Sequence, residues 1–115
     1  MKDLRMGERS VMEKMYQEAL LFDFYGELLT DRQREIYEEA VLNDYSLSEI
    51  AEERGISRQG VFDLVRRAGK TLEGYEEKLR LVRRFLEIRR KVEQIQERTD
   101  DEEIRALASQ ILEEL

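Results

Sequence analysis

Ser46-Leu47-Ser48-Glu49-Ile50-Ala51-Glu52-Glu53-Arg54-Gly55-Ile56-Ser57-Arg58-Gln59-Gly60-Val61-Phe62-Asp63-Leu64-Val65-Arg66 is the stretch that decides the fold. It opens with a helix-start pattern: Ser46 is placed to cap the free N–H groups, and Glu49, three residues on, is placed to reach back. Leu47, Ile50 and Ala51 then give a short helix one apolar side. Gly55 ends it, because glycine takes a positive φ without steric cost and lets the chain turn sharply. Ile56 re-enters the core, Ser57 caps again, and a second helix begins at Arg58. Ala51 permits close approach of two crossed helices, while Ile50, Ile56, Val61 and Leu64 supply their shared core. This is the pattern of a helix-turn-helix over residues 46–68, with the second helix as recognition helix.

Upstream, Met12, Met15, Tyr16, Ala19, Leu20 and Phe22 recur at helical spacing and predict a first helix over 10–25 with that side in the core. Thr30-Asp31-Arg32-Gln33 is a second capping box. It starts a helix over 31–43 that buries Ile36, Tyr37, Ala40 and Val41 and ends at Asn43-Asp44, residues suited to a turn. Downstream, Gly69 and Gly74 read as boundaries, followed by a long helix over 75–98. Thr99-Asp100-Asp101-Glu102 reads as a capping box for a final helix with Ile104, Leu107, Ala108, Ile111 and Leu115 on one face. The predicted class is all-α: a helical bundle without a wing, extended by a C-terminal helical hairpin. The predicted organisation is a single domain over 1–115, with a body at 10–74 and an extension at 75–115.

Composition narrows the function. The chain has 115 residues, no Cys, no His and no Pro, and 41% of it is charged. Without Cys or His it lacks disulfides, thiolate sites and the commonest general base and metal ligand, so neither catalysis, a metal nor a cofactor is expected. Acidic runs such as Glu52-Glu53 and Asp100-Asp101-Glu102-Glu103 fall at helix starts or on solvated faces, where they suit the helix dipole. No stretch approaches the roughly 20 apolar residues of a membrane helix, and the N-terminus has no apolar signal core; a cytoplasmic protein is expected. The net charge of −7 is unevenly spread. Residues 57–91 carry 11 basic and 5 acidic side chains, against 7 and 14 before them and 2 and 8 after them. A basic centre can attract a polyanion while acidic ends weaken non-specific binding; equally, such charges solubilise a long helix.

The helical wheel selects the candidate contacts. With Val61, Leu64, Val65 and Ala68 inward, the recognition helix presents Arg58, Gln59, Phe62, Asp63, Arg66 and Lys70. Arg58 and Gln59, in the first turn, are placed for base edges, Arg matching guanine and Gln adenine. Arg66, Arg67 and Lys70 are placed for phosphates, and Ser57 can serve as cap and phosphate donor. Asp63 opposes this reading by its charge. Phe62 suits either a thymine methyl or a protein contact, and Gly60 either a close backbone approach or chance.

Leu29-Thr30-Asp31-Arg32-Gln33-Arg34-Glu35 together with Ser48 through Val61 resembles the DNA-binding region four of bacterial sigma factors, which implies backbone contacts for Arg32 and Arg34. Over roughly residues 10–110, including Met15-Tyr16, Leu21-Phe22-Asp23-Phe24-Tyr25 and Leu79-Arg80-Leu81-Val82-Arg83-Arg84-Phe85, the chain more closely resembles the YlxM-like family of small bacterial proteins. That resemblance implies a sigma-like helix-turn-helix protein whose gene lies beside those of the signal recognition particle GTPase or its receptor, with a role in that pathway. Double-stranded DNA is therefore the expected partner. The rival is the particle's RNA or GTPase, bound by the basic surface from Arg66 to Lys91. A second apolar stripe of the long helix, Leu81, Phe85, Ile88, Val92 and Ile95, exceeds what the last helix can cover; a homodimer through 81–95 and 104–115 or a folded-back first helix would close it.

Overall fold

Thr30 and Gln33 form the reciprocal cap read from the sequence: the Gln33 backbone N–H donates to Thr30 Oγ1 and the Thr30 N–H to Gln33 Oε1, both at 3.2 Å. In the computed structural model, which describes the backbone of residues 6–115 and the side chains of 11–115, this cap starts helix α2. The described elements are α1 (Met6–Tyr25), a 3-10 turn (Gly26–Leu28), α2 (Asp31–Tyr37), a π-helical turn (Glu38–Leu42), α3 (Leu47–Arg54), α4 (Arg58–Leu79), α5 (Leu81–Arg98) and α6 (Glu102–Glu114). The protein is all-α, and no strand occurs among the described residues.

The predicted helix over 31–43 is α-helical only to Tyr37. The last turn widens to i→i+5 bonding, and Asn43 N–H donates to Glu38 O at 2.9 Å. Asp44 then takes a left-handed conformation, φ 57°, which short polar side chains tolerate.

The contacts cluster in two compact units that meet between Leu79 and Arg80. In the first, Ile36, Ile50, Ala51 and Val61 form a buried cluster, with Ala40, Leu47, Ile56, Leu64 and Val65 packed against it. Burying a large aliphatic side chain contributes about 1.5–3 kcal/mol, so this cluster dominates the stability of the helix-turn-helix. Helix α1 joins through aromatic contacts. Phe22 stacks on Tyr37 with ring centroids 5.8 Å apart, and Tyr25 on Tyr75 at 6.0 Å. The Tyr25 hydroxyl, on a side chain almost wholly buried, donates to Glu76 at 2.6 Å. Only the C-terminal part of α1 is core, however. Leu20 is buried, whereas Met12, Met15 and Tyr16, expected inside, are about half exposed.

Helix α4 corrects the expected boundaries. It runs unbroken through Gly69 and Gly74 to Leu79. Each glycine costs a helix about 1 kcal/mol relative to alanine, and the full burial of Val61, Ala68 and Leu72 along one side outweighs that. The predicted 75–98 helix is therefore divided. Arg80, left-handed at φ 55°, separates α4 from α5, so the body extends to 79 rather than 74.

The second unit is an α5–α6 hairpin centred on Val92 and Ala108, with Gln96 Nε2 donating to Ser109 Oγ at 2.8 Å. Its cap also differs from expectation. Asp101, not Thr99, is the N-cap of α6: its carboxylate accepts from the N–H groups of Glu103 and Ile104, while Thr99 Oγ1 accepts from Asp101 N–H. A carboxylate outcompetes a hydroxyl here because its charge also meets the positive end of the helix.

Candidate nucleic-acid interface

The turn between α3 and α4 sets the geometry. Ser46 Oγ accepts from Glu49 N–H at 3.1 Å, but the Glu49 side chain does not return the bond, so the cap is half the predicted box. Gly55 ends α3 in the left-handed conformation, φ 68° and ψ 33°, and the Ala51 carbonyl accepts from both Gly55 and Ile56 N–H groups. Space around Gly55 is open, with nothing within 4 Å of where a Cβ would lie, so glycine is needed for conformation and not for room.

Ser57 starts α4. Its Oγ accepts from Gly60 N–H at 2.9 Å. A Cβ at Gly60 would lie 3.1 Å from that oxygen, which gives Gly60 a local reason: a bare Cα lets the cap close. A serine hydroxyl keeps its own proton when it accepts a bond, so Ser57 remains free to donate to a phosphate.

Arg54 anchors the motif from the other side. Its guanidinium forks onto Glu39 of the π turn at 2.5 and 3.5 Å and reaches Glu35 of α2 at 3.2 Å. The hydrogen bond to Glu39 holds its pKa above the usual arginine value, against the opposing effect of burial. Nothing local in the sequence marks Arg54, because its partners lie 15 and 19 residues away.

Arg58, Gln59 and Phe62 of α4 line one open groove with Leu47 and Ser48 of α3. Phe62 is 48% exposed, although Val61 beside it is fully buried. Ser48 was not among the expected contacts, and an exposed hydroxyl in the first turn of α3 is the signal that could have found it. Arg66 and Lys70 lie further along and line a second groove with Lys14, Glu18 and Tyr37. Arg67 is exposed outside both. Arg32 and Arg34 lie on α2, outside both grooves, and Arg34 pairs with Asp31 at 3.4 Å. The structure thus groups Arg58, Gln59 and Phe62, sets Arg66 and Lys70 beyond them, and leaves Ser57 at the head of the helix.

Asp63 does not stand as a bare negative charge on this face. Its carboxylate accepts from Gln59 Nε2 at 3.2 Å and lies 3.9 Å from the Arg66 guanidinium.

Comparison with known proteins fits this geometry. Residues 12–111 match the model of a family described as "Putative helix-turn-helix protein, YlxM / p13 like". The chain belongs to this family. Among similar members, a UPF0122 protein of Caldanaerobacter subterraneus subsp. tengcongensis is 60% identical over 79 residues, covering 69% of this chain and 68% of that one. One from Thermoanaerobacter pseudethanolicus is 52% identical over 104 residues, covering 84% and 89%. One from Staphylococcus epidermidis is 49% identical over 80 residues, covering 70% and 72%. The helix-turn-helix in the description of the YlxM/p13-like family agrees with the turn that joins α3 to α4 in this chain. No helix among its described residues is long and apolar enough to cross a membrane.

Proposed function

We propose that the protein is a regulator that binds double-stranded DNA in the cytoplasm, with α4 in the major groove. The observation that carries this is the division of α4 into a buried side and an exposed one. Val61, Ala68 and Leu72 are fully buried, while Arg58 and Gln59 stand exposed in its first turn, in an open groove. That is where a recognition helix meets base edges. Arg58 reads guanine and Gln59 adenine by paired hydrogen bonds. Arg66, Arg67, Lys70 and the Ser57 hydroxyl hold phosphates, with Arg32 and Arg34 as outer backbone contacts. Phe62 and Leu47 add an apolar lining suited to a thymine methyl.

Selection of bound sequences from random duplex DNA tests the reading. Arg58→Ala and Gln59→Ala should relax preference at single base positions. Arg66→Ala and Lys70→Ala should weaken all sequences alike and flatten the salt dependence. If no duplex is preferred over random DNA at about 0.15 M salt, while the signal recognition particle's RNA or GTPase is bound through Arg83 and Arg84, the protein is an accessory of that pathway instead.

A further inference from the structure

The hairpin of α5 and α6 leaves one of its faces uncovered. Ile88 and Ile95 lie seven residues apart on α5, as do Ile104 and Ile111 on α6, with Leu107 between them; each of these five is more than two-fifths exposed. A seven-residue spacing returns to the same side of a helix, so each helix carries an apolar stripe beside its contact with the other. Measured from the buried residues Val92 and Ala108, both stripes are displaced in the same rotational sense. In an antiparallel pair this brings them to one side of the hairpin. Ile95 and Ile104 accordingly line a common groove with Lys91 and Arg98. Together the five side chains offer on the order of 400 Å² of apolar surface, as large as the largest patch a soluble monomer ordinarily exposes.

The rims of this face have opposite charge. Helix α5 has six basic and three acidic residues, and α6 one basic and four acidic. On α5, Arg83 and Arg89 pair with Glu87 and Glu93 of their own helix. Arg84, Lys91 and Arg98, again seven apart, border the apolar stripe, and among the described residues no ion pair engages them. On α6 the corresponding edge carries Glu103 and Glu114.

We infer that this face docks on the same face of a second copy, with α5 of each chain against α6 of the other. A two-fold axis parallel to the helices produces that arrangement. It makes each neighbouring pair of helices antiparallel and brings Arg98 level with the partner's Glu103, and Lys91 and Arg84 beside the partner's Glu114. The product is a four-helix bundle, apolar at its centre and charge-paired along both seams. Counting the rims, the contact reaches the ~1,000 Å² that separates specific interfaces from chance ones. The alternative axis, which sets α5 on α5, would oppose like charges.

Sedimentation of the full chain at micromolar concentration decides this. The wild type should be a dimer. Ile95→Glu with Leu107→Glu should give a monomer of unchanged helical content, since both positions are exposed within one chain and a charge there disturbs only the interface. A rim exchange fixes the pairing. A chain with Lys91→Glu and Arg98→Glu, and another with Glu103→Lys and Glu114→Lys, should each dimerise at least tenfold more weakly than wild type and should restore the dimer when mixed. A monomeric wild type overturns the inference. So does a dimer indifferent to the Ile95 and Leu107 changes, or rim variants that fail to rescue each other. The test involves no nucleic acid, so its result stands apart from that of the DNA reading.

Discussion

Gln59 and Asp63, one turn apart on α4, are joined by a 3.2 Å hydrogen bond from the Gln59 amide to the Asp63 carboxylate. A glutamine side chain has two N–H donors and one carbonyl, and recognition of adenine uses the carbonyl and one N–H. The second N–H is the one Asp63 can hold. On the DNA-binding reading, the aspartate whose charge opposes DNA therefore serves to fix the rotamer of Gln59. Asp63→Asn keeps an acceptor for Gln59 and removes the charge; Asp63→Ala removes both. Both should bind random duplex more tightly than wild type. Only Asp63→Ala should lose preference at the Gln59 base position, a preference worth roughly 1–3 kcal/mol for a good paired contact. Equal preferences in the two variants would show that Asp63 acts by charge alone.

Gly55 should tolerate substitution in the order set by the left-handed region. Because no atom crowds the Cβ position, the cost is conformational. Gly55→Asn should be mild and Gly55→Ala intermediate, while Gly55→Val should cost about 1–3 kcal/mol. Chemical denaturation measures the series. A valine variant of wild-type stability would mean that the turn relaxes to another conformation.

Arg54 should be irreplaceable by lysine. A guanidinium can bond Glu39 and Glu35 at once through a planar fork, which a single ammonium does not reproduce. Arg54→Met should cost about 1 kcal/mol, and Arg54→Lys more than half of that. The deficit should shrink in 1 M salt, where charge interactions are screened. A deficit that ignores salt would assign Arg54 a packing role instead.

Tyr37 gives the protein an alkaline limit. Burial first, and then the charges of Glu18 and Glu73, push its phenol up to about 12 from an ordinary value of 10.0. Below pH 10 the phenol is protonated in both folded and unfolded chains, and the stabilisation is fully present. Between pH 10 and 12 the unfolded chain loses its proton first, so stability falls by on the order of 2 kcal/mol as pH rises through that window. Tyr37→Phe should remove that part of the decline. Parallel pH profiles of the two proteins would refute the assignment.

The sequence carried the local features well and the distant ones poorly. The Thr30 box, the Gly55 turn and the inward positions Ile50 and Val61 are consequences of spacing within one or two turns, and each is present. The course of α4 departs from the expectation set by Gly69 and Gly74 because glycine propensity is a weak local term that burial of Ala68 and Leu72 overrides. The break at Arg80 has no local signature, since arginine gains nothing intrinsic from a left-handed conformation. On the candidate interface, Arg58, Gln59 and Phe62 follow from helical geometry alone. Their grouping with Leu47 and Ser48, and the tether from Gln59 to Asp63, depend on how helices cross and how side chains turn.

The continuity of α4 determines what kind of binding event this can be. Twenty-two residues of uninterrupted helix extend about 33 Å. The turn bearing Arg58 and Gln59 is therefore continuous with the turn that Tyr25 clasps at Tyr75 and Glu76. On the proposed DNA-binding reading, the helical surface that bears Arg58 and Gln59 is formed before a target arrives. Binding of DNA through that surface would forgo the entropy loss of folding the recognition helix, and that helix's share of the calorimetric heat capacity change should be that of surface burial alone, small and steady with temperature.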